Sequence, residues 1–311
     1  MKAAREAPIA RWLAKLKMQP VGPEGLAISR LLFYFWIAIR HVNTHTAAWL
    51  PFAELDFKPV WLLKVLGLHF VSAWWLNLFD TVWMVALVFA GLGLFTRVST
   101  TVSFVLGTYL LALPHCVGKA HHSDAIVLFA LAAFSLSRCG DALSIDAWLA
   151  RRRGAAVERA PSTEYAWLAW FGLTCIVIVY CSAGIAKLRA SGLQWAWGEG
   201  NTTRFISHQY THEPPTRLGL KIVALGEIGK LGNWFALALE VFSPVAFLHR
   251  YARFVVLGGL FVLQISIYLT LGVFFDNFFA LFAMCVPWGA VYHEGRTRFE
   301  RWRPKSQTPA A

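Results

Sequence analysis

Long apolar segments alternate with clusters of lysine and arginine along almost the whole of this sequence. A helix needs roughly 20 apolar residues to cross a bilayer, and in lipid every backbone N–H and C=O must be satisfied internally. The pattern therefore predicts an all-α fold, a polytopic transmembrane helical bundle. Charge content agrees, since only 15% of the 311 residues are charged and 57% are hydrophobic, against roughly 25% charged in soluble domains. Fifteen tryptophans suit the headgroup level, where indole rings concentrate. The formal net charge of +12 falls in blocks between apolar segments. Such blocks orient spans against anionic lipid, so membrane lipid is the expected partner and nucleic acid is not.

The apolar segments predict about eight spans. The first covers residues 26–39, with Arg30 near its inner end and Arg40 near its outer one. Residues 61–79 are rich in aromatics and are expected to lie in the outer interface. Further spans are expected over residues 81–95, 101–113, 124–136, 167–185, 231–248, 254–275 and 277–291. Arg138 with Arg151, Arg152 and Arg153, the pair Arg250 and Arg253, and the tail from Arg296 to Lys305 mark one side. The positive-inside rule assigns that side, and both termini, to the cytoplasm of a multi-pass cell-membrane protein. Residues 1–23 read as a basic amphipathic segment on the cytoplasmic surface, with Ile9, Trp12, Leu13 and Leu16 on its apolar side. Residues 24–292 form the transmembrane domain, and 293–311 form a basic cytoplasmic tail. The five cysteines are scattered, mostly inside apolar runs, and match neither a disulfide framework nor a zinc site.

Three places carry residues able to do chemistry. Lys187 ends the fifth span one step past Gly184. It is either an anchor that keeps its amine in water or a desolvated amine able to act as a base. Gly184, a small residue one turn earlier, lets another helix or a flat ligand approach. His121, His122 and Asp124 lie in the HHSD run before the fourth span. Adjacent histidines cannot point the same way on a helix, so no chelate is expected from the pair. Asp124 suits a helix cap, while His122 can donate a hydrogen bond to a developing anion. Glu240 lies inside the sixth span. A carboxylate at such depth faces the bundle interior, as a structural hydrogen-bond partner, a proton acceptor or the counter-ion of a buried cation. The remaining histidines are dispersed without HExxH spacing, so no metal is expected.

The run AGIAKL, residues 183–188, followed by Trp195, Trp197 and Gly198, resembles the signature of the horizontally transferred transmembrane (HTTM) family. That family is the membrane part of the vitamin K-dependent gamma-carboxylases. HHSD, an apolar span and the basic run ARRR follow the same order. The resemblance extends from about Leu26 to Trp288. It implies a reduced, vitamin K-like quinone as cofactor, with Lys187 as the base that deprotonates it. It also implies that His122 steadies a substrate carbanion, and that a secreted peptide or protein supplies the glutamate. Gly184, Trp195 and Trp197 become expected cofactor contacts. Gln264 takes the place of a histidine that carboxylases carry in the seventh span. Two other classes stay open on the residues themselves. One is a non-catalytic membrane factor for maturation or assembly of a secreted partner. The other is a proton-coupled transporter centred on Glu240, for which no inverted repeat speaks.

Overall fold

The computed structural model describes residues 20–118, 123–155, 160–197 and 200–302. The chain divides into two compact units, residues 20–171 with 283–302 in one and Gly172–Phe282 in the other. Along the first unit run α1 (Pro23–His41), α2 (Leu50–Leu55), α3 (Trp61–Leu66), α4 (Ala73–Leu92), α5 (Thr96–Ala112), α6 (Ser123–Leu136) and α7 (Ile145–Arg152). The chain passes to the second unit within α8 (Trp167–Ser191) and continues through α9 (Gln194–Trp197) and α10 (Gly200–Thr211). It goes on through α11 (Leu218–Ala224), α12 (Glu227–Val241) and α13 (Arg250–Leu271). It returns within α14 (Asp276–Cys285) and runs on into α15 (Trp288–Trp302). Among the described residues the only strand-like pairing is a single bridge between Val21 and Ser162.

In the first unit α4 and α5 form a hairpin that turns at Gly93. Gly93 has φ 69°, and a Cβ there would collide with Ser144 and approach Arg30 Cζ to 3.0 Å. Both the conformation and the space therefore demand glycine. Inside the hairpin the fully buried Trp83 donates its Nε1–H to the Ser103 carbonyl at 2.8 Å. Phe33 and Tyr34 of α1 pack on Phe134 of α6, with ring centroids 4.9 and 5.4 Å apart. The start of α5 is capped from another helix. Asp146 accepts from the Phe95 and Thr96 amides at 2.9 and 2.7 Å and from the Thr96 hydroxyl at 2.7 Å. A carboxylate there satisfies amides that the helix leaves open and complements its dipole.

Arg30 is wholly buried in the middle of α1. Its guanidinium donates to the carbonyls of Gly91 at 3.4 Å, Leu143 at 2.7 Å and Cys139. Carbonyl oxygens thus meet the hydrogen-bonding demand of a charge that lipid would not tolerate. One guanidinium ties α1 to the α4–α5 turn and to the loop between α6 and α7.

Four helical stretches are long and apolar enough to cross a membrane: Ala73–Leu92, Thr96–Val117, Trp167–Ser191 and Arg250–Leu271. Two bent pairs, Pro23–His41 with Thr46–Leu55 at 51° and Leu218–Ala224 with Glu227–Val241 at 119°, raise the count to six. By length and composition, then, the helices support four to six spans where the apolar runs predict about eight. The fourth predicted span is the 14-residue α6, which at 1.5 Å per residue covers only about 21 Å. The eighth is divided between α14 and α15 beside Pro287, and α15 carries His293, Glu294, Arg296 and Arg298. Residues 61–79 also differ from expectation. They split at Gly67, which has φ 65°, and residues 73–79 open α4 as part of a span. Residues 192–215, polar and between two of the predicted spans, contain the helices α9 and α10. The amphipathic segment over residues 1–19 and the tail beyond 302 lie outside the described residues.

Candidate functional site

The second unit brings two of the candidates together. On α8, Tyr180, Gly184 and Lys187 stand at i, i+4 and i+7, the spacing that puts three residues on one helix face. That face meets α12. A Cβ on Gly184 would stand 2.9 Å from Val241 Cγ2, 3.0 Å from Glu240 Cβ and 3.0 Å from the Val241 amide nitrogen. Glycine is what lets the α12 backbone lie against α8 at this level. One turn further, Lys187 Nζ donates to both carboxylate oxygens of Glu240, each at 2.5 Å. The Glu240 side chain is 5% exposed and that of Lys187 25%. A charge-assisted pair between an ammonium and a buried carboxylate ties α8 to α12 at this level.

The surroundings fix both partners. Ser243, fully buried just beyond α12, donates its hydroxyl to the Glu240 carbonyl at 2.8 Å. Cys181 lies across from the Val241 carbonyl, with its sulfur 3.8 Å away. On α9, the Trp195 ring presents itself to the ammonium, with Lys187 Nζ 4.5 Å from the ring centroid. A cation over an indole face is held by the ring quadrupole. The Asn233 amide on α12 reaches the Ala196 carbonyl of α9 at 3.5 Å, which keeps that short helix beside the pair.

Two buried polar atoms near this pair make no hydrogen bond of good geometry: Tyr180 Oη and Gln264 Oε1. Tyr180 lies within hydrogen-bonding reach of Gln264 and within electrostatic reach of Glu240, and its ring packs on Phe278 at 5.5 Å. Gln264, from α13, is itself buried. Buried oxygens left open in a membrane bundle are expensive and are the groups with which a ligand can bond. Tyr180 was not among the residues singled out from the sequence, although the i, i+4, i+7 register through Gly184 and Lys187 carries that signal.

The remaining candidates stand apart. His121 and His122 lie outside the described residues, as does Gly198. Trp197 is the last residue of α9. Asp124 is in the first turn of α6, with its carboxylate 3.1 Å from His115 Nε2.

What the second unit holds is a lysine whose amine is clasped by a buried carboxylate within the bundle, beside an indole face and two open oxygens. Such a pair can pass one proton between nitrogen and oxygen with no change in net charge, which suits a low-dielectric site. A family model described as the HTTM domain matches residues 18–288. No curated protein and no solved structure matches the chain.

Proposed function

The chain belongs to the HTTM family, and from that premise we propose that this membrane protein is a quinol-using enzyme of carboxylase-like type, with Lys187 and Glu240 as its proton-transfer unit. The observation that carries the proposal is the placement of both Glu240 oxygens 2.5 Å from Lys187 Nζ. An anchor lysine needs only water at its amine. A buried carboxylate aimed at that amine gives it somewhere to put a proton. With the proton on Glu240, Nζ offers a lone pair and takes a proton from a bound hydroxyl. The resulting ammonium faces the oxyanion it has made, while Glu240 keeps its proton until the ammonium passes its own on.

The residues present fit a reduced quinone. Trp195 offers a flat apolar face, and Tyr180 Oη and Gln264 Oε1 are open to a ring's oxygen atoms. Tyr180, Gln264 and Trp195 would hold the group, with Gly184 keeping α12 close and Trp197 as a further contact. When bound, a reduced quinone supplies an acidic ring hydroxyl and reducing equivalents. His122, with His121 beside it, is proposed to donate a hydrogen bond to negative charge on a second substrate, a glutamate of a secreted peptide or protein. The site is proposed to open to the extracytoplasmic side.

The test compares wild type, Lys187→Arg and Lys187→Ala, reconstituted in liposomes and supplied with a reduced naphthoquinone and oxygen. Arginine keeps a long cationic side chain that pairs with Glu240 but does not lose its proton in proteins. Lys187→Arg is expected to insert and accumulate like wild type, with quinol consumption at least 100-fold slower. Full activity in Lys187→Arg removes the base from the proposal.

A further inference from the structure

The first unit contains a cavity of about 790 Å³, within the roughly 300–1,000 Å³ of small-ligand sites. It lies where the α4–α5 turn, the start of α5, the α6–α7 loop and α7 meet, at the end that the arginine blocks assign to the cytoplasmic leaflet. Its lining is mixed. Arg97, Arg138 and Arg153 supply positive charge, and Phe95, Val98 and Leu149 supply apolar surface. The two carboxylates in the lining are already committed. Asp141 accepts from Arg138 and from the Tyr165 hydroxyl, and Asp146 holds the amides that open α5. Arg138 is neutralised between Asp141 and Glu164, whose oxygens lie 3.0 and 2.7 Å away. Arg97 and Arg153 have no ion-pair partner among the described residues. Two free guanidiniums over one cavity form an anion site.

The apolar lining selects among anions. Phe95 and Val98 are 66% and 64% exposed beside Arg97. Exposed aromatic and branched side chains around paired guanidiniums match a headgroup with its acyl chains better than a free ion. We propose that this cavity binds the phosphate headgroup of an anionic phospholipid of the cytoplasmic leaflet, through Arg97 and Arg153, with Phe95 and Val98 against the upper acyl chain. The site is independent of the Lys187–Glu240 pair.

The full chain, purified in a neutral detergent, is titrated with dioleoyl phosphatidylglycerol, dioleoyl phosphatidylcholine or inorganic phosphate. Melting temperature and bound-lipid mass are followed together. Phosphatidylglycerol is expected to raise the melting temperature and to remain as a discrete adduct, while phosphatidylcholine and phosphate do neither. Arg97→Gln and Arg153→Gln each weaken phosphatidylglycerol binding several-fold, and the double variant weakens it at least tenfold. Arg152→Gln, outside the lining, binds like wild type. The single variants carry the test even if the double variant folds poorly, since both side chains are exposed. Equal binding of the two lipids, or unchanged phosphatidylglycerol affinity in the single variants, overturns the proposal. A melting shift from inorganic phosphate alone assigns the cavity to free phosphate and overturns the lipid reading.

Discussion

The Lys187–Glu240 pair is unequally buried, and that inequality makes a measurable prediction. The Glu240 side chain is 5% exposed and that of Lys187 25%. Glu240→Gln leaves an ammonium that can swing toward water along a flexible stem, at a cost of about 1 kcal/mol or less. Lys187→Met leaves a carboxylate with no cation and no path to water. Such a fold survives only with Glu240 protonated, and protonating a carboxyl of ordinary pKa about 4.3 at pH 7 costs about 3.7 kcal/mol, at 1.36 kcal/mol per unit. That figure sits within the roughly 3–5 kcal/mol expected for breaking a buried pair from one side. At pH 5 the same cost is about 1 kcal/mol. The sign follows from linkage. In Lys187→Met the folded state holds a proton that the unfolded chain gives up above about pH 4.3, so stability is lost as pH rises. Thermal melts in detergent at pH 5, 6 and 7, read with a thiol-reactive dye on the buried Cys116 and Cys139, provide the assay. Lys187→Met is expected to melt roughly 10 °C below wild type at pH 7 and to recover most of that by pH 5. Glu240→Gln should differ from wild type by a few degrees at every pH. Equal losses for the two variants at pH 7, or a Lys187→Met loss that ignores pH, would refute the reasoning.

Gly184→Ala places a methyl against the α12 backbone, so it should cost about 1–3 kcal/mol by overpacking. It should also reduce quinol turnover by separating Lys187 from Glu240, read by the same melts and by the liposome assay. Gly93→Ala combines an unfavourable φ with a collision at Ser144. It should lower the melting temperature more than Gly184→Ala does, with turnover per folded molecule unchanged. Cysteines introduced at Ala155 and Ser207 should react with membrane-impermeant reagent from opposite sides, with Ala155 cytoplasmic. Labelling of both from one side would change the number of spans between them by one.

The membrane class was legible because hydropathy and charge blocks are local properties of the sequence. Gly184, Lys187 and Glu240 each stood out for the same reason: a small residue, an amine and a carboxylate are conspicuous inside apolar runs. Their pairing was not legible. Lys187 and Glu240 are 53 positions apart on helices that are not neighbours in sequence, and periodicity says which face is buried without saying against what. Tyr180 was missed because a tyrosine in an apolar run reads as core. The start of α4 was missed because residues 61–79 are almost continuously apolar. Within them Gly67 and the short non-helical stretch after it separate two helices. Span count suffered from the same blindness, since composition cannot tell a straight 20-residue helix from two shorter ones meeting at a proline.

Arg30 imposes an order on biosynthesis. Its three carbonyl acceptors lie 61, 109 and 113 residues further along the chain. At roughly 5–20 residues per second, the last of them leaves the ribosome several seconds or more after α1 is complete. Until Leu143 has been made the guanidinium lacks its full set of acceptors, with only the Gly91 carbonyl available before Cys139. The first helix is therefore expected to reach its final packing only once the loop around Leu143 has been made. Nascent chains arrested before residue 130 should leave α1 extractable by alkali, and chains arrested beyond residue 180 should not.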